Sequence, residues 1–256
     1  MRRYLSAIIG ALFYVGAPAQ AQECVPTKDL IDTTVSIARA FNPGDYHESE
    51  SITLRGTAWF IKQTEMVAIE HVIKEFGLSI EKWETINVRQ QYPGSIWWNE
   101  VAVRVRIKHV PSEDTPEKLY VLELKEPLAW PIQVVSIRST PFVIGERAVG
   151  IGYSSGVLHS ARGQYIHYPL LASLGDPNYF TGFELIHEIE RDVLLAGSSG
   201  GPIFDCDGMV IAVISHIFPE SYYGTLPRTP EGKAKLLGIT NVLGVPVYHI
   251  SNKILQ

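Results

Sequence analysis

The chain has 256 residues, 46% of them hydrophobic and 19% charged, with a formal net charge of -5. That balance excludes an intrinsically disordered chain and allows one large domain or two small ones, each with its own core. It also excludes an electrostatic grip on nucleic acid, which needs a basic face.

The first 21 residues read as a signal peptide. Arg2 and Arg3 are followed by an apolar or small run from Tyr4 to Gly16. Ala19-Gln20-Ala21 then fits the small-x-small pattern of a cleavage site. The run is short for a bilayer span, so a retained anchor is the weaker reading. Ala21-Gln22-Glu23 before Cys24 rules out a lipid-anchored cysteine. The expectation is an exported protein, periplasmic or secreted, with no membrane attachment after cleavage. The chain has two cysteines, Cys24 and Cys206. An even count in an oxidising compartment favours a bridge between them, with two buried thiols as the alternative.

Beyond the signal segment, Thr27–Phe41 reads as a helix, His71–Phe76 as a helical turn, and the C-terminal tail as a further candidate helix. Short β-rich runs dominate the rest: Ser51–Arg55, Thr57–Lys62, Thr85–Gln90, Glu100–Ile107, Leu119–Leu124, Gln133–Ile137, Ala148–Ile151, Gln164–Tyr168, Gly182–Ile186, Ile203–Phe204 and Met209–Ser215. In Glu100–Ile107, Val101, Val103 and Val105 alternate with Ala102, Arg104 and Arg106, which marks a half-buried strand. Strands of this length and spacing predict an all-β sandwich or barrel. Pro127–Pro131 reads as the start of a connection between two halves, 22–130 and 131–256.

Gly197-Ser198-Ser199-Gly200-Gly201-Pro202 carries the strongest chemical signal. A serine hydroxyl becomes a useful nucleophile only beside a base and a preorganised oxyanion site. Gly197 and Ser199 can supply two inward N–H donors, and the glycines leave room for a substrate carbonyl. The pattern G-x-S-x-G also occurs at the strand-to-helix elbow of α/β-hydrolases. Here, however, Ile203-Phe204, the turn at Asp207-Gly208 and the run from Met209 read as a hairpin, not a helix.

Upstream, Gly56-Thr57-Ala58-Trp59-Phe60-Ile61 precedes Val67-Ala68-Ile69-Glu70-His71-Val72: two strands leading into a histidine. Gly145 to Tyr153 adds a strand with glycines at Gly150 and Gly152. In order and spacing, residues 50 to 217 resemble the chymotrypsin/trypsin-like serine proteases, in particular their bacterial exported branch. The resemblance implies two six-stranded antiparallel β-barrels with the active site in the cleft between them. It implies a serine endopeptidase acting on polypeptides without metal or cofactor, with His71 as general base and Ser199 as nucleophile. It places Val193, six residues before Ser199, at the base of a specificity pocket for apolar or small side chains. Lys118 stands where the family has its aspartate. Asp114 on the preceding loop is the first candidate for the third member, with Glu113 and Glu117 as alternatives. Ile69-Glu70 replaces small residues before the histidine, and Ser198 replaces the acid or amide before the nucleophile.

The alternative is a catalytically silent relative that keeps the fold as a binding module; Lys118 is the residue that argues for it. Other candidate sites are weaker. His187-Glu188-Ile189-Glu190-Arg191 starts like a zinc-protease helix but lacks the second histidine. Trp97-Trp98 reads first as packing and second as a recognition surface. Thr229–Lys233 reads as an exposed loop.

Overall fold

A computed structural model describes residues 24–25, 27–42, 52–92, 95–110, 119–166, 181–186, 194, 196–218 and 239–247. These residues form twelve strands and two short helices. The first half contains α1 (Thr27–Ile31), β1 (Thr34–Phe41), β2 (Ile52–Lys62), β3 (Glu65–Ile69), α2 (Glu70–Phe76), β4 (Glu84–Gln91), β5 (Trp98–His109) and β6 (Leu119–Leu124).

The helix expected over Thr27–Phe41 stops at Ile31. Thr33 closes its end, its hydroxyl donating to the Leu30 carbonyl at 2.6 Å. From Thr34 onward the chain is strand. β-Branched Thr34, Val35 and Ile37 favour extended backbone, and β1 finds ladders on both sides, with β2 and β4. Tertiary pairing here overrides an apolar spacing that also fits a helix.

The six strands close into an antiparallel barrel in the order β1-β2-β3-β6-β5-β4. The two runs expected at Ser51–Arg55 and Thr57–Lys62 are one continuous strand, β2. Its solvent-to-core transition falls at Gly56, after which Thr57 to Ile61 are all buried. Trp59, Phe60, Met66, Ile69, Ile86 and Leu122 are almost completely shielded from water. The alternation in β5 holds: Val105 and Ile107 are buried, while Ala102 and Arg104 face out.

The second half contains β7 (Arg147–Ser154), β8 (Val157–Ile166), β9 (Thr181–Ile186), β10 (Pro202–Phe204), β11 (Val210–Phe218) and β12 (Ile239–Pro246). The hairpin expected after the serine loop is present as β10 and β11, with Ile203 opposite Ala212. Pairing follows the order β10-β11-β12-β9-β8-β7, and β7 pairs with β10 at Ile203–Gly150 and Phe204–Val149. Ala148, Ala161, Leu194, Ile203, Ile211, Ala212 and Ile214 form a buried cluster of this half, while Val149, Ile151, Phe204, Val210, Val213, Val245 and Val247 join the cluster of the first half.

Gln133–Ile137, expected as a strand, is not one. Its backbone bonds go singly to separate elements: Gln133 N–H to Asp32 O, Val135 N–H to Phe60 O, and Val210 N–H to Ser136 O. Only Ile137 forms a bridge, with Val210. Polar satisfaction without a continuous ladder makes this segment a strap running from the first barrel to β11.

Cys24 and Cys206 form a disulfide across 182 positions of sequence. Val25 N–H donates to Cys206 O at 3.0 Å, and Arg162 of β8 donates to the Thr27 hydroxyl. The segment that enters the first barrel is therefore stitched to the second sheet. Such a bridge belongs to an oxidising compartment. Among the described residues, no helix is long and apolar enough to cross a membrane. Residues 1–21 and the C-terminal tail from residue 248 lie outside the described residues.

Candidate active site

His71 is the second residue of α2, which begins directly where β3 ends. Ile69 keeps extended backbone, and the chain turns helical at Glu70. Val72, Ile73 and Phe76 are buried against the barrel, so their spacing fixes the helix and leaves His71 half-buried at its edge. Glu70 bridges Lys74 one turn on, at 2.9 Å. Burial, and then the Glu70 charge, push the Tyr120 hydroxyl above its ordinary value.

The serine loop crosses from the second sheet to the first. Thr57 N–H donates to Ser199 O at 2.9 Å. A Cβ on Gly200 would lie 2.1 Å from Thr57 O and 3.6 Å from Ile69 N. Gly200 also has φ +90°, so only glycine allows this contact without strain. The loop is thus seated on β2 and on the end of β3, two residues before His71. The Ser199 hydroxyl donates to Ser215 O at 3.3 Å, not to His71.

The two N–H groups expected to face an oxyanion are oriented from behind. Ser155 N–H donates to Ala196 O at 3.2 Å, and Gly201 N–H donates to Ser198 O at 2.9 Å. No peptide bond in the described chain is cis. In a trans peptide the C=O and N–H point in opposite directions. Fixing those two carbonyls therefore turns the N–H groups of Gly197 and Ser199 to the other side. Between them, the buried Thr57 hydroxyl donates to Gly197 O at 2.8 Å and accepts from Tyr153 N–H at 2.9 Å.

Ser198 is fully buried, and its hydroxyl pairs with that of Ser154 on β7 at 2.8 Å. A neutral hydroxyl pair therefore occupies the place where the resembled family carries an acid. Thr57, Ser154 and Ser155 were not singled out from sequence. Their signal was present but faint: Thr57 lies inside the segment leading to His71, and Ser154-Ser155 directly follow the Gly152-Tyr153 strand.

Asp114, Glu113, Glu117 and Lys118 lie outside the described residues, as do Val193, His187–Arg191 and Thr229–Lys233. Leu194, beside Val193, is buried in the core of the second half. No group of three or more His, Cys, Asp or Glu that could hold a metal occurs among the described residues. Trp97 and Trp98 are 72% and 47% exposed, and the Trp98 ring packs on the Arg89 guanidinium.

In comparisons with known proteins, no family model and no curated protein matches the chain.

Proposed function

We propose that the chain is an exported serine endopeptidase with a chymotrypsin-like architecture: two six-stranded antiparallel barrels with the active site in the cleft between them. The seating of the Ser199 loop on Thr57 and at Ile69, two residues from His71, carries this reading. The pairing of every strand from β7 to β12 with two neighbours supports the second barrel. The disulfide supports export.

In this reading Ser199 Oγ attacks the scissile carbonyl and His71 takes its proton. The N–H groups of Gly197 and Ser199 hold the oxyanion, and His71 then protonates the leaving amine. Water repeats the cycle to release the acyl group. Asp114 is the proposed third member and Val193 the proposed floor of the specificity pocket. The substrate is a polypeptide.

The competing reading, a silent binding module, draws on Lys118 in the acid's place and on the Ser199 hydroxyl facing Ser215. A fluorophosphonate probe separates the two. It labels Ser199 in the folded protein with a disulfide intact, and labelling is lost in Ser199→Ala and falls at least a hundredfold in His71→Ala. Folded protein that takes up no probe excludes the protease.

A further inference from the structure

Arg55 on β2 and Arg89 on β4 flank β1 on one face, opposite Ala38 and Ser36. Both reach the turn between β7 and β8. A Cβ on Gly156 would lie 2.8 Å from Arg55 Nη1 and 3.7 Å from Arg89 Nη1. Two guanidinium groups thus approach the same glycine, whose missing side chain makes the space. Gly156 has φ +82° as well, so the turn itself favours glycine.

Neither arginine forms an ion pair among the described residues. Arg89 is held in place by the face of Trp98, 3.5 Å from its guanidinium carbon. Its Nε is shielded from water and has no hydrogen-bond partner. Like charges brought together and partly dried repel each other, and an unsatisfied buried donor costs further free energy. An anion placed between the two Nη1 groups relieves the repulsion.

The location says which anion. Ser155, in the same turn, donates to Ala196 O on the serine loop. Arg55 precedes Thr57 by two strand residues, about 7 Å, and Thr57 holds Ser199 O. The pair therefore adjoins the turn and the strand that hold the serine loop.

We infer that Arg55 and Arg89 form a subsite for the carboxylate of an acidic side chain flanking the scissile bond of a polypeptide substrate. This rests on the protease reading for the identity of the ligand as a substrate, but not for the existence of the anion site. Arg is suited to the role because its planar fork pairs a carboxylate through two parallel bonds.

The test is binding to Ser199→Ala protein, followed by calorimetry. The probes are acetylated heptapeptide amides of alanine with a central Leu and one Glu moved through the other six positions, each with a Gln twin. At one or more positions the Glu peptide binds about tenfold tighter than its twin, and the preference shrinks in high salt. It is lost on adding Arg55→Gln or Arg89→Gln and reduced in Arg55→Lys, which keeps the charge but not the fork. Arg55 is exposed, so its variants report even if Arg89→Gln unfolds. Equal binding of Glu and Gln peptides throughout, no binding at all, or a preference that survives both Gln variants overturns the inference. A Glu preference in a protein whose native form takes no fluorophosphonate leaves the anion site standing and removes the protease.

Discussion

Thr57→Val tests the structural logic of the serine loop most directly. Valine keeps the β-branched shape and removes only the hydroxyl. That hydroxyl is fully buried, donates to Gly197 O at 2.8 Å and accepts from Tyr153 N–H at 2.9 Å. The variant strands one carbonyl and one N–H where water does not reach, at about 1–3 kcal/mol each. Together they cost about 2–6 kcal/mol, which for a protein of this size lowers Tm by about 10 °C. The freed Gly197 carbonyl sits between the two proposed oxyanion peptides, so fluorophosphonate labelling should slow by about tenfold, part of the cost of losing a donor outright. Differential scanning calorimetry and labelling kinetics on Thr57→Val and Thr57→Ser make the measurement. Serine retains the hydroxyl and restores both readouts. If Thr57→Val melts within about 2 °C of the parent, the hydrogen-bond argument fails. If it melts lower but labels at the parent rate, Thr57 supports the fold without positioning the loop.

Gly200→Ala forces a methyl to within 2.1 Å of Thr57 O at φ +90°; the loop lifts off β2, and Ser199 labelling drops even in molecules that remain folded by circular dichroism. Reducing the Cys24–Cys206 bridge, which spans 182 positions, lowers stability by up to about 5 kcal/mol in the chain-entropy model, read as a lower urea midpoint in dithiothreitol. Burial pushes the Glu65 carboxyl upward, but the Lys108 and Lys62 ammonium groups outweigh it and hold it below the ordinary value of 4.5. A depressed carboxylate stabilises the fold above that value, and the contribution is lost as pH falls through the lowered one; Glu65→Gln therefore flattens the pH dependence of Tm on the acid side and leaves less to lose there.

Local chemistry decided a good deal of this protein on its own. The alternating valines of β5, the β-rich run Leu119–Leu124 and the hairpin after Pro202 each announce themselves, because a half-buried strand and a tight turn leave period-2 and Asp-Gly signatures. The even cysteine pair led to the bridge because only two partners exist. Ser199 stood out for its glycine-rich loop, and His71 for the two strand-like runs that lead into it.

Tertiary structure decided what sequence spacing could not. Residues 34–41 carry an apolar pattern compatible with a helix or a strand, and only the ladders offered by β2 and β4 select the strand. Residues 133–137 look like a strand, yet their backbone partners lie on three different elements. Trp97 and Trp98 look like core and stand in solvent, because exposure depends on what lies opposite. The meeting of Thr57 with the Ser199 loop joins positions 142 residues apart, and that of Gly156 with two arginines joins a turn of one sheet to two strands of the other. Sequence determines which segments extend and which residues can react. The closing of the sheets determines which of them meet, since hydrogen-bond ladders and burial are satisfied between segments and not within them.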